Sequence, residues 1–408
     1  MTHANVHKTL MVLTGNAWSL PLIRRAKELG LRVVVTDRSP TAPGLAIADV
    51  PLPLDTNDYH SILDAATKYR VNGVLTEQTD VGVLTAARVA DQLGLPGIGP
   101  EKATAATNKF VMRECCRRAG IPIPRYELVR TIDQAVSAAT SIGLPVVIKP
   151  IDGQSSRGVA KVWHAADIPY WFAWSKERSQ SGDLLVEEML EGQDTSVEGF
   201  IANGECHTLA ICDKTKIPPR LTVDLQLVYP ARFTPTVIEE LHTVNQAVVA
   251  ALGLTIGFTH AEYVVTQKGV RLLEIAARGC GAGVMTRLLP AMLECDLLGL
   301  RIRQALGEQV AAPRITSTRC GMLEFMLLPP GRLESIEGLD KARLIPGILG
   351  VDFTVTPGQI IRNAESGDGR PGYMHIVADT HEDLFQASTQ AKSLIKTSIT
   401  TTPSPEAW

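Results

Sequence analysis

From Thr9 to Gly99, short apolar runs alternate with longer stretches of helical period: TLMVLT, a helix through Arg24 to Leu29, LRVVVTD, then VNGVLT followed by VGVLTAARVADQLG. Strands and helices in this rhythm predict a parallel α/β sheet. The turn-rich stretch from Leu95 to Pro100 closes the unit. A helix then runs from Thr104 to Ala119 and stops at Gly120, because the prolines at 122 and 124 lack the amide donor a helix needs. The pattern changes beyond this point. PVVIKP and GVAKVW flank a polar tip at 151–158 and form a hairpin, followed by the strands DLLVEEML, TSVEGFIA and HTLAICD and a helix from Pro235 to Leu252. The runs Ala261–Val265 and Val270–Ile275 pair as a second hairpin across Gln267 to Gly269. From Gly321 to Lys396 short strands and turns end in a helix from His381.

Gly15 follows the first strand and Asp37 ends the second, where a Rossmann unit places its phosphate turn and ribose acid. Thr14 to Leu20 reads T-G-N-A-W-S-L, so the full G-x-G-x-x-G is missing, and a scaffold or substrate-facing sheet is the better reading.

Composition narrows the class. The 408 residues, 45% hydrophobic and 20% charged, suffice for two or three domains, since single cores rarely grow beyond about 250 residues. A formal charge of −3 with interspersed signs lacks the basic face that nucleic acid requires. No apolar stretch reaches the roughly 18 residues of a membrane span, and no signal peptide is read. Seven cysteines without a C-x-x-C pair argue against a disulfide framework or zinc site and for a reducing cytoplasm.

The candidate chemistry lies between Asn108 and Arg278. Glu262 and Glu274 fall near the ends of two adjacent strands, where even spacing lets both carboxylates face one side of the sheet. Such a pair suits Mg²⁺, a hard octahedral cation held by one or two carboxylates plus nucleotide phosphates. Arg278 follows in E-I-A-A-R-G-C-G-A-G, whose glycines, Gly281 among them, allow close backbone approach to a ligand. Its guanidinium is suited to bracing a transferring phosphoryl group. Lys149 is an isolated cation at the end of the apolar strand VVIK, better explained by phosphate contact than by solvation.

Taken together, Asn108-Lys109-Phe110, Val147-Ile-Lys-Pro150, the loop bearing Ser155 and Ser156, Val186-Glu-Glu-Met-Leu190 with Gly192-Gln-Asp194, His260-Ala-Glu262 and Glu274-Ile-Ala-Ala-Arg278 resemble the ATP-grasp superfamily. The similarity is to its carboxylate-amine ligases, the group containing the L-amino-acid (dipeptide) ligases of the biotin-carboxylase-like branch, and it covers nearly the whole chain. The resemblance implies an α/β and α+β architecture: a preATP-grasp Rossmann-like domain over 1–107, an ATP-grasp domain over 108–313 and a C-terminal α+β domain over 314–408. It implies Lys109 and Lys149 on the phosphates of ATP, the loop with Ser155 and Ser156 folded over them, and Glu187, Glu188 and the backbone near Leu190 at the adenine. Asp194 would take the ribose, Glu262 and Glu274 two Mg²⁺ ions for which Mn²⁺ can substitute, and Arg278 with Lys149 the catalytic charge. The expected activity is formation of an acyl phosphate from a small carboxylate and its capture by an amine in a cytoplasmic homodimer, with no nucleic-acid or membrane partner. One departure is Ala276, where many ATP-grasp enzymes carry asparagine as a ligand of the second metal.

Other positions leave two readings open. His260 shares the face of Glu262 and fits the substrate site or a packed, hydrogen-bonded role. Arg287 fits a substrate-carboxylate anchor or a surface salt bridge. Lys214 and Lys216 fit contact with an acidic substrate or solvated loop positions. Cys280, without a histidine in evident register, reads as a small buried hydrophobe. Two further functions share the domain order or the site: a carboxylase or formate-using transferase of the purine-biosynthesis type, and a nucleotide-binding protein without catalysis.

Overall fold

Four parallel strands, Val50–Leu52, Arg32–Thr36, Thr9–Leu13 and Gly73–Leu75 in that spatial order, form the first sheet of the computed structural model, which describes residues 8–217 and 223–400. The central strand Thr9–Leu13 is buried throughout because both faces are covered. Leu10 and Val12 pack on Leu22, Ile23 and Ala26 of the helix Leu20–Glu28, whereas Met11 and Leu13 pack on the opposite cluster with Ile62 and Val89. Asp37 is spent internally, accepting from Gly15 N and Ser39 N at 2.9 Å each. This agrees with a scaffold role for that turn.

The single helix expected from Thr104 to Ala119 is instead two, Pro100–Thr107 and Lys109–Arg118. Asn108 breaks it: in extended backbone (φ −118°, ψ 109°), its side chain accepts from Phe110 N and Val111 N and caps the second helix. The break lets Lys109 N donate to Ile151 O at 2.8 Å, tying the helix start to the 151–158 tip.

The middle of the chain builds an antiparallel sheet in the order Tyr126–Val129, Leu184–Glu188, Val146–Pro150, Ala160–Val162. It also supplies most of an eight-stranded antiparallel sheet that starts with Gly269–Ala276, Gly257–Thr266, Gln193–Ala202 and Glu205–Lys216. The fifth strand, Asp224–Tyr229, was not legible in the sequence pattern, and it pairs with Cys320–Met326. Through that pairing the sheet continues into Gly372–Ala378 and Ile348–Phe353 of the C-terminal segment. Alternation along the strands splits the core. Val197, Ile201, Ala261 and Tyr263 face Leu241 and Val248 of the helix Pro235–Ala251, while Phe200, Ala202 and Phe258 face the turn Val284–Leu288 and helix Leu289–Leu293. Among the described residues no helix is long and apolar enough to cross a membrane.

Candidate active site

Lys149 Nζ lies 2.6 Å from Glu187 Oε2, and the strand register explains why. Val147 pairs with Glu187 and Lys149 with Leu185, so the lysine and glutamate share one sheet face, two positions apart. Arg113, fully buried on the helix Lys109–Arg118, grips the same carboxylate with Nε at 2.8 Å and Nη2 at 3.2 Å. Burial opposes ionisation of Glu187, but Arg113 and Lys149 outweigh it and hold the carboxyl below its usual range. Burial pushes Lys149 down, partly countered by Glu187. Both Glu187 oxygens are thus paired with cations, and the residue also lines the adjoining cavity. Glu188, Met189 and Leu190 line the cavity beside it, as do Val147 and Val264. Asp194, at the edge of that cavity, is paired with Lys216 at 2.5 Å.

Glu262 and Glu274 are direct cross-strand partners, with an irregularity in the pairing just after Glu262. Each carries an ammonium: Lys214 Nζ lies 2.6 Å from Glu262, and Lys109 Nζ lies 2.9 Å from Glu274. Burial would lower the Lys109 and Lys214 pKa values, and the carboxylates reverse this, Glu274 for Lys109 and Asp224 with Glu262 for Lys214. Glu262 is held well below the carboxylate range because Lys214 and His260 outweigh its burial. Lys214 and Lys216 are thus strand residues with carboxylate partners, not solvated loop lysines. As a donor set, two facing carboxylates fit a hard divalent cation.

His260 is hydrogen-bonded on both ring nitrogens. Its Nδ1 is 2.9 Å from Glu198 Oε1 and its Nε2 3.3 Å from Glu262 Oε1, so it is packed and also adjoins the site. Cys280 does have a histidine partner: ligand atoms of Glu198, His260 and Cys280 all lie within 4.8 Å of one another. Burial raises the thiol pKa. Sequence reading missed this cluster because its members come from two strands and a loop whose register only the fold fixes.

Arg278 is anchored from the first segment, Nε 2.6 Å and Nη2 3.2 Å from the Asp80 carboxylate. Asp80 belongs to T-E-Q-T-D, residues 76–80, which latches the whole glycine loop. Gly279 N donates to Glu77 Oε2 at 2.9 Å and Gly283 N to Gln78 Oε1 at 2.7 Å. A polar run at the carboxyl end of a parallel strand was the available signal, since ligands gather there in open α/β sheets. Ser155 and Ser156 sit at φ 56° and 57°, an uncommon conformation for residues with side chains. Their loop is fixed from both sides: Asp80 N donates to Gln154 Oε1 at 2.7 Å and Gly367 N to Ser155 O at 2.9 Å.

A cavity of about 370 Å³ joins these parts, lined by His260, Glu262, Glu274, Arg278, Gly281 and also by Trp18, Asp224, Phe325, Arg370 and Tyr373. Arg287, offered as a carboxylate anchor, is exposed beside Gly350 and does not line it. Arg370, which the sequence reading did not single out, does line it.

Residues 142–287 match the ATP-grasp domain, and residues 324–400 match L-amino acid ligase C-terminal domain 2. An uncharacterized protein, y4rH, of Sinorhizobium fredii is 31% identical over 320 residues, which span 77% of this chain and 66% of that relative, just under two thirds of it. The formate-dependent phosphoribosylglycinamide formyltransferase of Wolinella succinogenes is 26% identical over 311 residues, 76% of this chain and 79% of the relative. In fold, the chain is similar to the crystal structure of L-amino acid ligase from Bacillus licheniformis, with TM-score 0.82 and 20% identity over 98% of this chain and 100% of that one. Residues 142–287 are thus an ATP-grasp domain, and the chain as a whole is similar in fold to an L-amino acid ligase.

Proposed function

We propose that this protein is an ATP-dependent ligase that activates a small carboxylate as an acyl phosphate and joins it to an amine, releasing ADP and phosphate. The carrying observation is the convergence of Lys109, Lys149, Glu262, Glu274 and Arg278 on neighbouring cavities. In this reading a substrate carboxylate oxygen attacks the γ-phosphorus of ATP and the bond to ADP breaks. The amine nitrogen then attacks the acyl carbon, the bond to phosphate breaks, and the amine loses a proton. Mg²⁺, or Mn²⁺ in its place, supplies charge neutralisation when held by Glu262 and Glu274. Arg278, oriented by Asp80, faces the charge that builds on the transferring group, and Lys149, oriented by Glu187, neutralises the phosphates. The loop of Ser155 and Ser156, tied down at both ends, excludes water from the reactive intermediate. Leu190 and its neighbours line the adenine end, and Asp194, on exchanging Lys216 for ribose, completes nucleotide binding.

The match of residues 324–400 to an L-amino acid ligase domain favours an amino acid over formate as the activated carboxylate. A phosphate-release screen of amino acids, singly and in pairs, with formate and bicarbonate as separate arms, tests the reading. Release only with pairs is the expected result; release with formate or bicarbonate instead would transfer the protein to the purine-type branch. The proposal includes a cytoplasmic homodimer, which light scattering checks for mass.

A further inference from the structure

Glu198 and His260 are direct cross-strand partners, and Ser196 and Glu262 pair two residues away on the same two strands. These four side chains therefore share one sheet face, with Ala276 opposite His260 and Glu274 opposite Glu262 on the next strand. His260 stands between two carboxylates. Its Nδ1 lies 2.9 and 3.0 Å from the two Glu198 oxygens, and its Nε2 lies 3.3 Å from Glu262 Oε1.

Glu198 is fully buried and is itself held in place. Ser196 Oγ at 2.9 Å and Tyr229 OH at 3.2 Å both donate to its Oε1, so the carboxylate is fixed where it accepts from Nδ1. With the Nδ1 proton committed to Glu198, the other ring nitrogen aims its electron pair at Glu262 Oε1, and two such donors need a cation between them. A proton on Nε2 is one such cation; a divalent ion is the other. The 3.3 Å separation is at the long end for a hydrogen bond and close to the roughly 3 Å between adjacent ligands of an octahedral ion with bonds of about 2.1 Å. Lys214, which shares that oxygen at 2.6 Å, also has Asp224 Oδ2 at 3.2 Å, so an ion can take the oxygen without stranding the ammonium. Opposite His260, Ala276 brings only a methyl group and no competing ligand.

We propose that His260 is a third protein ligand of the divalent cation, joining Glu262 and Glu274 through Nε2 and oriented by Glu198, and that this donor turns the preference of the site from Mg²⁺ to Mn²⁺. The inference rests on the ligase reading for the role of the cation, but the ligand set is a binding claim of its own. A carboxylate on one ring nitrogen with the metal on the other is the arrangement that fixes ring orientation and tautomer in histidine metal sites. Mg²⁺ takes oxygen donors and keeps its waters, whereas imidazole suits transition ions, so a nitrogen in the set favours Mn²⁺.

The test is pulsed electron paramagnetic resonance on the full chain, grown with ¹⁵N-histidine and loaded with Mn²⁺ and ADP. Among the described residues His260 is the histidine lining the cavities that contain Glu274, so a directly bonded ¹⁵N is expected, and it should vanish in His260→Gln. In equilibrium titrations with ADP, His260→Gln should weaken Mn²⁺ binding about 10- to 100-fold and Mg²⁺ binding less than about 3-fold, since an amide oxygen replaces the nitrogen. Glu198→Gln, which keeps the ring but removes the carboxylate that orients it, should weaken Mn²⁺ about 10-fold. The ¹⁵N coupling of the wild-type chain decides the ligand set even where a variant fails to fold. Absence of a bonded ¹⁵N in the wild type, or equal loss of Mn²⁺ and Mg²⁺ affinity in a folded His260→Gln, would overturn the proposal. A bonded ¹⁵N in a chain that forms no ADP with any pair of acid and amine would keep the ligand set and sink the ligase reading. Pairwise ADP formation without a bonded ¹⁵N would do the reverse.

Discussion

The two ends of the site differ in how their charges are settled. At one end, Lys149, Arg113 and Glu187 form a buried, charge-paired set, and Lys109 and Lys214 rest on Glu274 and Glu262. At the other end, among the described residues, Arg370 forms no ion pair and one oxygen of Asp224 has no hydrogen-bond partner, and Trp18, Phe325 and Tyr373 line the wall. A pre-balanced end keeps its geometry while a highly charged nucleotide comes and goes. An end whose groups are less completely paired leaves room for a bound small molecule to complete the set, one way in which a site can discriminate.

Removing a member of the balanced end should have the largest effect. Glu274→Ala should lower ADP formation by about 10³-fold or more with thermal melting nearly unchanged, since lost electrostatic stabilisation of phosphoryl transfer acts on the reaction and not the fold. Wild-type turnover in that variant would remove Glu274 from the metal site. Arg113→Met should act the other way: it leaves Glu187 buried beside one cation instead of two, at a cost of about 3–5 kcal/mol in urea unfolding. If stability stayed within about 1 kcal/mol, the closed set would not be the structural core described here.

A further contrast can be read in acid. Burial lowers the His375 pKa from 6.5 to about 4, and its Nδ1 has no partner among the described residues, so the folded state holds this ring neutral. Its folded value lies below the unfolded one; its contribution to stability is therefore complete above about pH 6.5 and is lost as the pH falls toward 4. His375→Gln should remove about 2–3 kcal/mol of that slope in urea titrations between those pH values. A slope identical to wild type would reject the assignment. The smallest effect is expected at the first sheet. Asp37→Asn should cost about 1 kcal/mol and leave nucleotide affinity unchanged, because its carboxylate serves Gly15 and Ser39. Weakened ATP binding would revive a nucleotide role for that turn.

The same division governs what the sequence disclosed. Lys149, Glu262, Glu274 and Arg278 were legible because strand periodicity places each within a short motif, and a hairpin fixes the face that Glu262 and Glu274 share. Arg370, Asp224 and Asp80 were not, because no periodicity relates the loop near Gly367, the strand Asp224–Tyr229 and the turn after Gly73–Leu75. The cation pair on Glu187 was hidden for a similar reason. Its motif gave the strand, but Arg113 arrives from a helix whose start depends on the cap at Asn108. Asp80 and Gln154 lie in separate segments and meet only in the fold.

The pairing of Asp224–Tyr229 with Cys320–Met326 also sets a rule for anyone recombining these segments. The C-terminal part is not a detachable cassette. A chain cut before Cys320 would expose the bare rim of Asp224–Tyr229, a template for adhesion between copies, and would lose Arg370 from the cavity wall as well. Grafts that exchange acceptor preference should therefore carry both strands of that seam together.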